Sequence, residues 1–216
     1  MGYLPEALAN YMAFLGWSPK SAESEILSLD EISKTFDLSD INKAGAKFSL
    51  DKLNWINSQY IKNMESVKLS EVICKYWDIM GWSPPSQEWA IKLVSLIKDS
   101  MTLLKDAIDQ SKPFFLVPPI QKDGQDFLEN KDSKASLKLI FDYLIDQKTS
   151  KLEKGKAKEI INEISKMHNV KKGILMKSLR VAFFGSLSGP DLIQSWELFS
   201  ENKSDISRIE RCLKSI

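Results

Sequence analysis

The chain has 216 residues, 43% of them hydrophobic and 27% charged, a balance that supports a folded core and excludes disordered, collagen-like and low-complexity classes. Thirty Lys and Arg against 29 Asp and Glu leave a formal net charge of +1, so bulk charge predicts neither a nucleic-acid nor a membrane partner. Only nine Gly and eight Pro are too few for the frequent tight turns of an all-β sandwich or barrel, which makes helix the expected state.

Pro5 suits the first turn of a helix in which Leu4, Leu8, Tyr11, Met12 and Leu15 recur at helical spacing up to Gly16, and that face is expected to be buried. A short second helix starts at Ser28, whose hydroxyl can cap while Glu31 reaches back, with Leu29, Ile32 and Phe36 as its stripe. After the loop 42–47, a third carries Leu50, Leu53, Ile56, Tyr60 and Met64 on one side. The pattern restarts near 66–69, and Ser70 begins a helix with Val72, Ile73, Tyr76 and Met80 that ends at Gly81. Gly16-Trp17-Ser18-Pro19 and Gly81-Trp82-Ser83-Pro84 read as shared helix-end punctuation more than as a duplication.

From Ser86 one long helix is expected through Trp89, Leu93, Leu96, Ile97, Leu104 and Ile108, stopped by Pro113. Residues 114–120, with Pro118 and Pro119, then read as an apolar linker across a domain junction. The last third predicts helices at 133–148, 156–168, 173–184 and 190–199, with a final one on Ile206, Ile209, Leu213 and Ile216. Short connections suit packed antiparallel helices, so the expected class is all-α.

Independent catalysis is not supported. Cys74 and Cys212 are too few and too distant for a disulfide framework or metal cluster, and read as reduced thiols in a cytoplasmic protein. The start of the chain lacks a basic segment before an apolar run, and no apolar run approaches the ~18 residues of a membrane span. His168 is the only histidine, on the edge of an apolar face, and reads as a packed or solvent-tipped side chain. No zinc spacing is present, and Lys154-Gly155-Lys156 is too degenerate for a phosphate loop. Asp30 with Glu31, and Glu197 with Glu201, read as surface charge. The expected lists of catalytic residues, metal ligands and cofactors for this chain are therefore empty. The six tryptophans, Trp17, Trp55, Trp77, Trp82, Trp89 and Trp196, read as core anchors before base-stacking platforms.

Charge distribution says more than its total. Residues 148–180 hold ten basic side chains (Lys148, Lys151, Lys154, Lys156, Lys158, Lys166, Lys171, Lys172, Lys177, Arg180) against Glu153, Glu159 and Glu163, a local +7 that leaves −6 elsewhere. Such asymmetry suits a polyanion, although solvated helix faces also collect lysine. Just beyond it a helix ends at Gly185, a short corner follows, and Pro190 opens the next helix with Gly189 as a plausible cap. Free amides at such a terminus can donate to an anion or a base edge. Arg180, one of three arginines beside Arg208 and Arg211, offers there a planar fork that the lysines lack.

These residues resemble a known family. Gly2-Tyr3-Leu4-Pro5-Glu6-Ala7-Leu8, Asn10-Tyr11 and Leu15-Gly16-Trp17-Ser18 resemble the segment after the KMSKS-type loop of bacterial glutamyl-tRNA synthetases. Asn42-Lys43-Ala44-Gly45-Ala46-Lys47-Phe48, Asp51-Lys52-Leu53-Asn54-Trp55 and Gln59-Tyr60-Ile61 are similar to its stem-contact region. Leu179-Arg180-Val181-Ala182, Gly185 and Gly189-Pro190-Asp191-Leu192 are similar to its anticodon-binding signature.

The resemblance implies a helical stem-contact unit over 1–65 and two helical anticodon-binding units, an α-helix cage, over 66–119 and 120–216. It implies tRNA(Glu) and the parent's catalytic domain as partners, with no DNA and no membrane. The Rossmann-type domain and the HIGH-type and KMSKS-type motifs, which in the parent use ATP and Mg to attach glutamate to tRNA, would lie upstream of Met1. Anticodon contacts then fall on Arg180, Gly189, Pro190, Leu192 and Lys172, and tRNA-backbone contacts on Lys151, Lys154, Lys156, Lys158, Lys171 and Lys177. Single-stranded loops are the sequence-readable part of RNA, which agrees with that assignment. Ser100 departs from the family, whose glutamate-specific members often carry arginine there. That departure implies a parent that also glutamylates tRNA(Gln), unless Ser100 merely lets two helices approach closely. The alternative function is a helical protein-interaction module derived from such a fragment, without an RNA role.

Overall fold

The computed structural model describes residues 2–17, 25–41, 45, 47–147 and 151–215. Ser18 and Pro19 of the first helix-end motif, Asn42, Lys43, Ala44 and Ala46 of the stem-contact motif, and Lys148 and Ile216 lie outside the described residues. Among the described residues the helices are α1 (Pro5–Gly16), α2 (Leu29–Thr35), α3 (Leu50–Asn63), α4 (Ser66–Ile79), α5 (Gln87–Ile97), α6 (Asp106–Phe115), α7 (Lys122–Leu128), α8 (Lys131–Asp146), α9 (Lys156–His168), α10 (Lys172–Phe184), α11 (Leu192–Glu201) and α12 (Asp205–Lys214). The only extended pairing among them is an isolated antiparallel bridge between Trp17 and Ile41, so the all-α expectation holds. The chain divides into two compact units, 1–83 with 97–110 and 84–96 with 111–216.

The first unit is organised by buried amides. α1 buries Ala7, Asn10 and Tyr11, while Leu8 (38% exposed) and Met12 (69%) face outward, against the expected stripe. Asn10 explains the rotation. Its Oδ1 accepts from Leu27 N at 3.0 Å and lies 3.0 Å from the Tyr60 hydroxyl, while its Nδ2 donates to Glu25 O at 3.2 Å. A buried amide that lost these partners would cost about 1–3 kcal/mol, so the network fixes which face turns inward. Asn57 on α3 similarly accepts from Leu4 N at 2.8 Å, and Tyr11 accepts from Ser49 N at 2.7 Å. Asn10, Tyr11 and Tyr60, three of the residues that carry the family resemblance, are thus internal anchors of this unit.

Ser28 and Glu31 form the expected capping box on α2, but Leu29 and Phe36 remain largely exposed. Helix α4 begins one turn before Ser70, which is buried inside it and donates to Val67 O at 2.6 Å instead of capping. It ends as expected at Gly81, whose φ of +70° supplies a left-handed terminus. The expected long helix from Ser86 is broken. After α5 and a short 3-10 turn at Lys98–Ser100, the chain opens, and the Asp106 carboxylate accepts from Thr102 N (2.9 Å) and Leu103 N (2.8 Å) to start α6. Pro113 lies inside α6 near its end, where the lost amide disrupts little, and the helix continues to Phe115.

The second unit has an aromatic core. Phe114 stacks on Phe199 at 4.9 Å, Phe183 meets Phe199 at 4.8 Å, and Trp89 Nε1 donates to Leu198 O at 2.9 Å. Phe114 is 1% exposed, so it is a core residue at the end of α6 and not part of a linker. Fully burying such a ring contributes on the order of 1.5–3 kcal/mol. Helix α7, which the sequence reading passed over, precedes α8. The remaining helices fall within a few residues of expectation, and α9 matches it at both ends.

Candidate nucleic-acid interface

Helix α10 positions the central arginine. Its exposed positions Gly173, Met176 and Lys177 and the half-buried Arg180 recur at helical spacing, and Lys172 sits two turns before Arg180, so these residues form one stripe ending at the corner 185–191. Gly185 closes the helix at φ +70°. A Cβ there would lie 2.2 Å from Pro119 O, which makes glycine obligatory for space as well as conformation. Gly185 O accepts from Gln121 N at 2.7 Å, and a Cβ on Gly124 of α7 would come within 2.8 Å of that same carbonyl. The corner therefore rests on two backbone-to-backbone approaches.

Side chains complete it. Arg180 Nη1 donates to Gly189 O at 2.8 Å and Pro190 O at 2.9 Å, so one end of the fork holds the turn from within. The Asp123 carboxylate accepts from Leu187 N at 2.8 Å and from the Ser186 hydroxyl at 3.1 Å. The Leu187 amide is the main reason that the Asp123 carboxyl lies below its ordinary pKa, with burial opposing. Helix α11 is capped by Asp191, which accepts from Gln194 N at 2.9 Å. Gly189, expected as the cap, instead bends at φ +146° two residues earlier, and Pro190 precedes the helix instead of opening it. Leu192 is 1% exposed and anchors α11 with its side chain inward.

The structure thus brings Gly189 and Pro190 onto Arg180 near the end of α10, with Lys177 one turn earlier and Lys172 at the opposite end of the helix. The other lysines are scattered. Lys151 meets Glu201 at 3.4 Å, and Lys156 meets Glu159 at 3.1 Å, one turn along α9. The hydrogen bond that Lys156 donates to Glu159 raises the Lys156 pKa. Lys154, Lys158 and Lys171 are exposed without a carboxylate within 4 Å among the described residues, and Lys177 lies 6.0 Å from the centre of the Phe127 ring. Mixed Lys and Glu on the outer side of α9, opposite buried Ala157, Ile160, Ile161 and Ile164, make a solvated face.

Ser100 belongs to the first unit and is exposed, so it does not separate two packed helices. Its hydroxyl donates to Ile97 O at 2.7 Å and meets Gln110 Oε1 at 2.6 Å, while Gln110 Nε2 returns a bond to Ser100 O at 3.1 Å. Glu197 and Glu201 prove to be structural, since Glu197 accepts from Gly155 N at 2.7 Å and Glu201 holds both Lys92 and Lys151. Trp55 is 45% exposed, whereas Trp17, Trp77, Trp82, Trp89 and Trp196 are buried. His168 is exposed in the last turn of α9. Among the described residues no group of three or more His, Cys, Asp or Glu is placed to hold a metal, and no helix is long and apolar enough to cross a membrane.

Sequence reasoning missed Asp123, Gly124 and Gln110. Asp123-Gly124 reads locally as a turn, and nothing in the spacing signals that Gly124 must admit a carbonyl from residue 185.

Residues 59–213 match a family model described as anticodon binding domain. The chain is 87% identical over 216 residues to a glutamate–tRNA ligase of Prochlorococcus marinus strain MIT 9312, and 46% identical over 213 residues to that of strain NATL2A. All of it aligns with the first and 99% with the second, and in each case it spans 45% of the relative's length. Among solved structures, a glutamate tRNA ligase from Elizabethkingia meningosepticum in complex with its amino acid superposes with a TM-score of 0.88 at 31% identity, over 99% of this chain and 42% of that one. The glutamate-tRNA synthetase of Elizabethkingia anophelis gives 0.84 at 33% identity, over 99% and 41%.

Proposed function

This chain belongs to the anticodon binding domain family, and we propose that it is the tRNA-holding portion of a glutamate–tRNA ligase, working in the cytoplasm. The proposed partners are tRNA(Glu) and the parent's catalytic domain, which would use ATP and Mg to attach glutamate. Residues 1–65 would meet the stem, while 66–119 and 120–216 form the two anticodon-binding units.

The observation that carries the reading is the braced corner at the end of α10. Nη1 of Arg180 holds two carbonyls, so the guanidinium is set in place before any ligand arrives, and recognition loses less side-chain freedom. Arg180, Lys172 and the Gly189-Pro190 backbone would face the splayed anticodon, and Leu192 would position them from below. Lys151, Lys154, Lys156, Lys158, Lys171 and Lys177 would contact phosphates, which fix orientation without reading sequence.

Ser100 and Gln110 close on each other as neutral groups, where glutamate-specific relatives often carry an arginine. The reading therefore includes a parent that charges both tRNA(Glu) and tRNA(Gln). An anticodon-swap charging assay on the full-length ligase tests it, and a strong preference for the glutamate anticodon would contradict it.

Titration of the 216-residue chain with tRNA(Glu) and an anticodon-substituted version, each at two salt concentrations, tests the main reading. Anticodon-dependent binding that weakens with salt is expected. Equal affinity for both RNAs would contradict it and leave a protein-interaction role in front.

A further inference from the structure

A cavity lies in the second unit, away from the α10 stripe. It has a volume of about 630 Å³, and its walls come from the segment Val117, Pro118, Pro119 and Ile120, from α7 and α8, from Val181 and Ala182 on the inner side of α10, and from α12. That volume is in the range of pockets for small organic ligands, ~300–1,000 Å³.

Its charge is unusual. Arg208 lines the cavity yet is only 3% exposed, and among the described residues no carboxylate lies within 4 Å of it. Nη1 donates to Phe183 O at 3.2 Å and the guanidinium carbon sits 4.4 Å from the centre of the Phe199 ring, which hold the group in place. Its Nε is buried without a hydrogen-bond partner among the described residues. Buried cations are ordinarily paired, because an uncompensated charge in a low dielectric is costly. Here burial lowers the pKa of Arg208 to about 10, and the next cause is a second cation, Arg211, on the same wall. Lys134 and Glu129 also line the cavity and offset each other in charge, which leaves two arginines for a ligand to neutralise.

We propose that this cavity binds a phosphate monoester carried on a flat apolar body of mononucleotide size, with the phosphate at Arg208 and Arg211 and the body against Val117, Pro118 and Pro119. A phosphate monoester carries about −1.5 to −2 charge at pH 7, which matches two guanidinium groups, and its oxygens suit their fork geometry. The apolar wall of proline and valine gives a base-sized ring a surface to lie on. The inference goes beyond the anticodon reading and meets the Arg180 corner only at Pro119, whose backbone supports Gly185, so either can fail alone.

Calorimetric titration of the 216-residue chain with adenosine 5′-monophosphate, adenosine and inorganic phosphate tests it. The nucleotide should bind saturably and adenosine at least about tenfold more weakly, as expected for losing charge-assisted hydrogen bonds. Arg211→Glu, at an exposed position, should weaken the nucleotide by about tenfold or more with unchanged thermal unfolding. Val117→Trp, at the rim, should block it, while Arg180→Ala should leave it unchanged. Competition by a short 5′-phosphorylated RNA would identify a chain terminus as the source of the phosphate, and its failure would identify a free nucleotide. No saturable nucleotide binding, equal affinity for adenosine, or an Arg211→Glu variant that binds normally would overturn the proposal.

Discussion

The corner at 185–191 and the lysine-rich segment at 151–177 lie close in sequence and carry opposite kinds of order. The corner is held by close backbone approaches and fixed side chains: Gly185 against Pro119, Gly124 against Gly185, Asp123 on two donors and Arg180 on two carbonyls. The lysines are exposed and, where paired, are paired one at a time with glutamates. Exposed ion pairs contribute little, typically below about 1 kcal/mol, and their side chains keep most of their freedom. Discrimination between bases requires groups fixed to a fraction of an ångström, whereas attraction to a phosphate backbone does not. Under the proposed function, reading falls to the corner and holding to the lysines.

The comparison breaks most visibly at Gly185. Gly185→Val would place carbon on the Pro119 carbonyl and force a branched residue to positive φ, so a loss of about 3 kcal/mol or more in denaturant unfolding is expected, with the anticodon preference lost alongside. Arg180→Ala should act on recognition more than on stability. It should cost about 1–3 kcal/mol of binding to RNA with the cognate anticodon and little with a substituted one. Lys151→Ala with Lys156→Ala should instead weaken both RNAs by a similar, few-fold factor and flatten the dependence of log affinity on log salt by about one to two units, measured between two salt concentrations.

The smallest effect concerns pH. The folded Asp123 carboxyl is lowered by its bond from Leu187, so its contribution is present above the ordinary carboxylate value of ~3.9 and is lost as pH falls through its lower folded value. The Leu187 amide resonance should therefore shift with a midpoint below ~3.9 and should show no such titration in Asp123→Asn.

Periodicity made most helices legible, because a buried face repeats every three to four residues whatever it packs against. α9 is the clearest case, with Ala157, Ile160, Ile161 and Ile164 inward. It failed where polar groups are buried, as at Asn10, which turns Leu8 and Met12 outward. It failed again between α5 and α6, where apolar spacing continues through 101–105 although the Asp106 carboxylate gathers the Thr102 and Leu103 amides and a new helix starts there. The site was legible to a similar depth. Arg180, Gly185 and Pro190 stood out by residue type, and their motif resembled a known family's. Their supports, Asp123 and Gly124, lie about 60 residues earlier, and only the folded chain brings them together. Leu192 carried the motif as well, yet its side chain points into the core.

The division between reading and holding is tested most directly by one ratio, the affinity for tRNA(Glu) over that for the same RNA with a substituted anticodon. It should be measured at one salt concentration for the unaltered chain, Arg180→Ala and Lys151→Ala. The account predicts that Arg180→Ala brings the ratio close to one while Lys151→Ala lowers both affinities and leaves the ratio unchanged. A ratio that survives Arg180→Ala, or that collapses with Lys151→Ala, would contradict it.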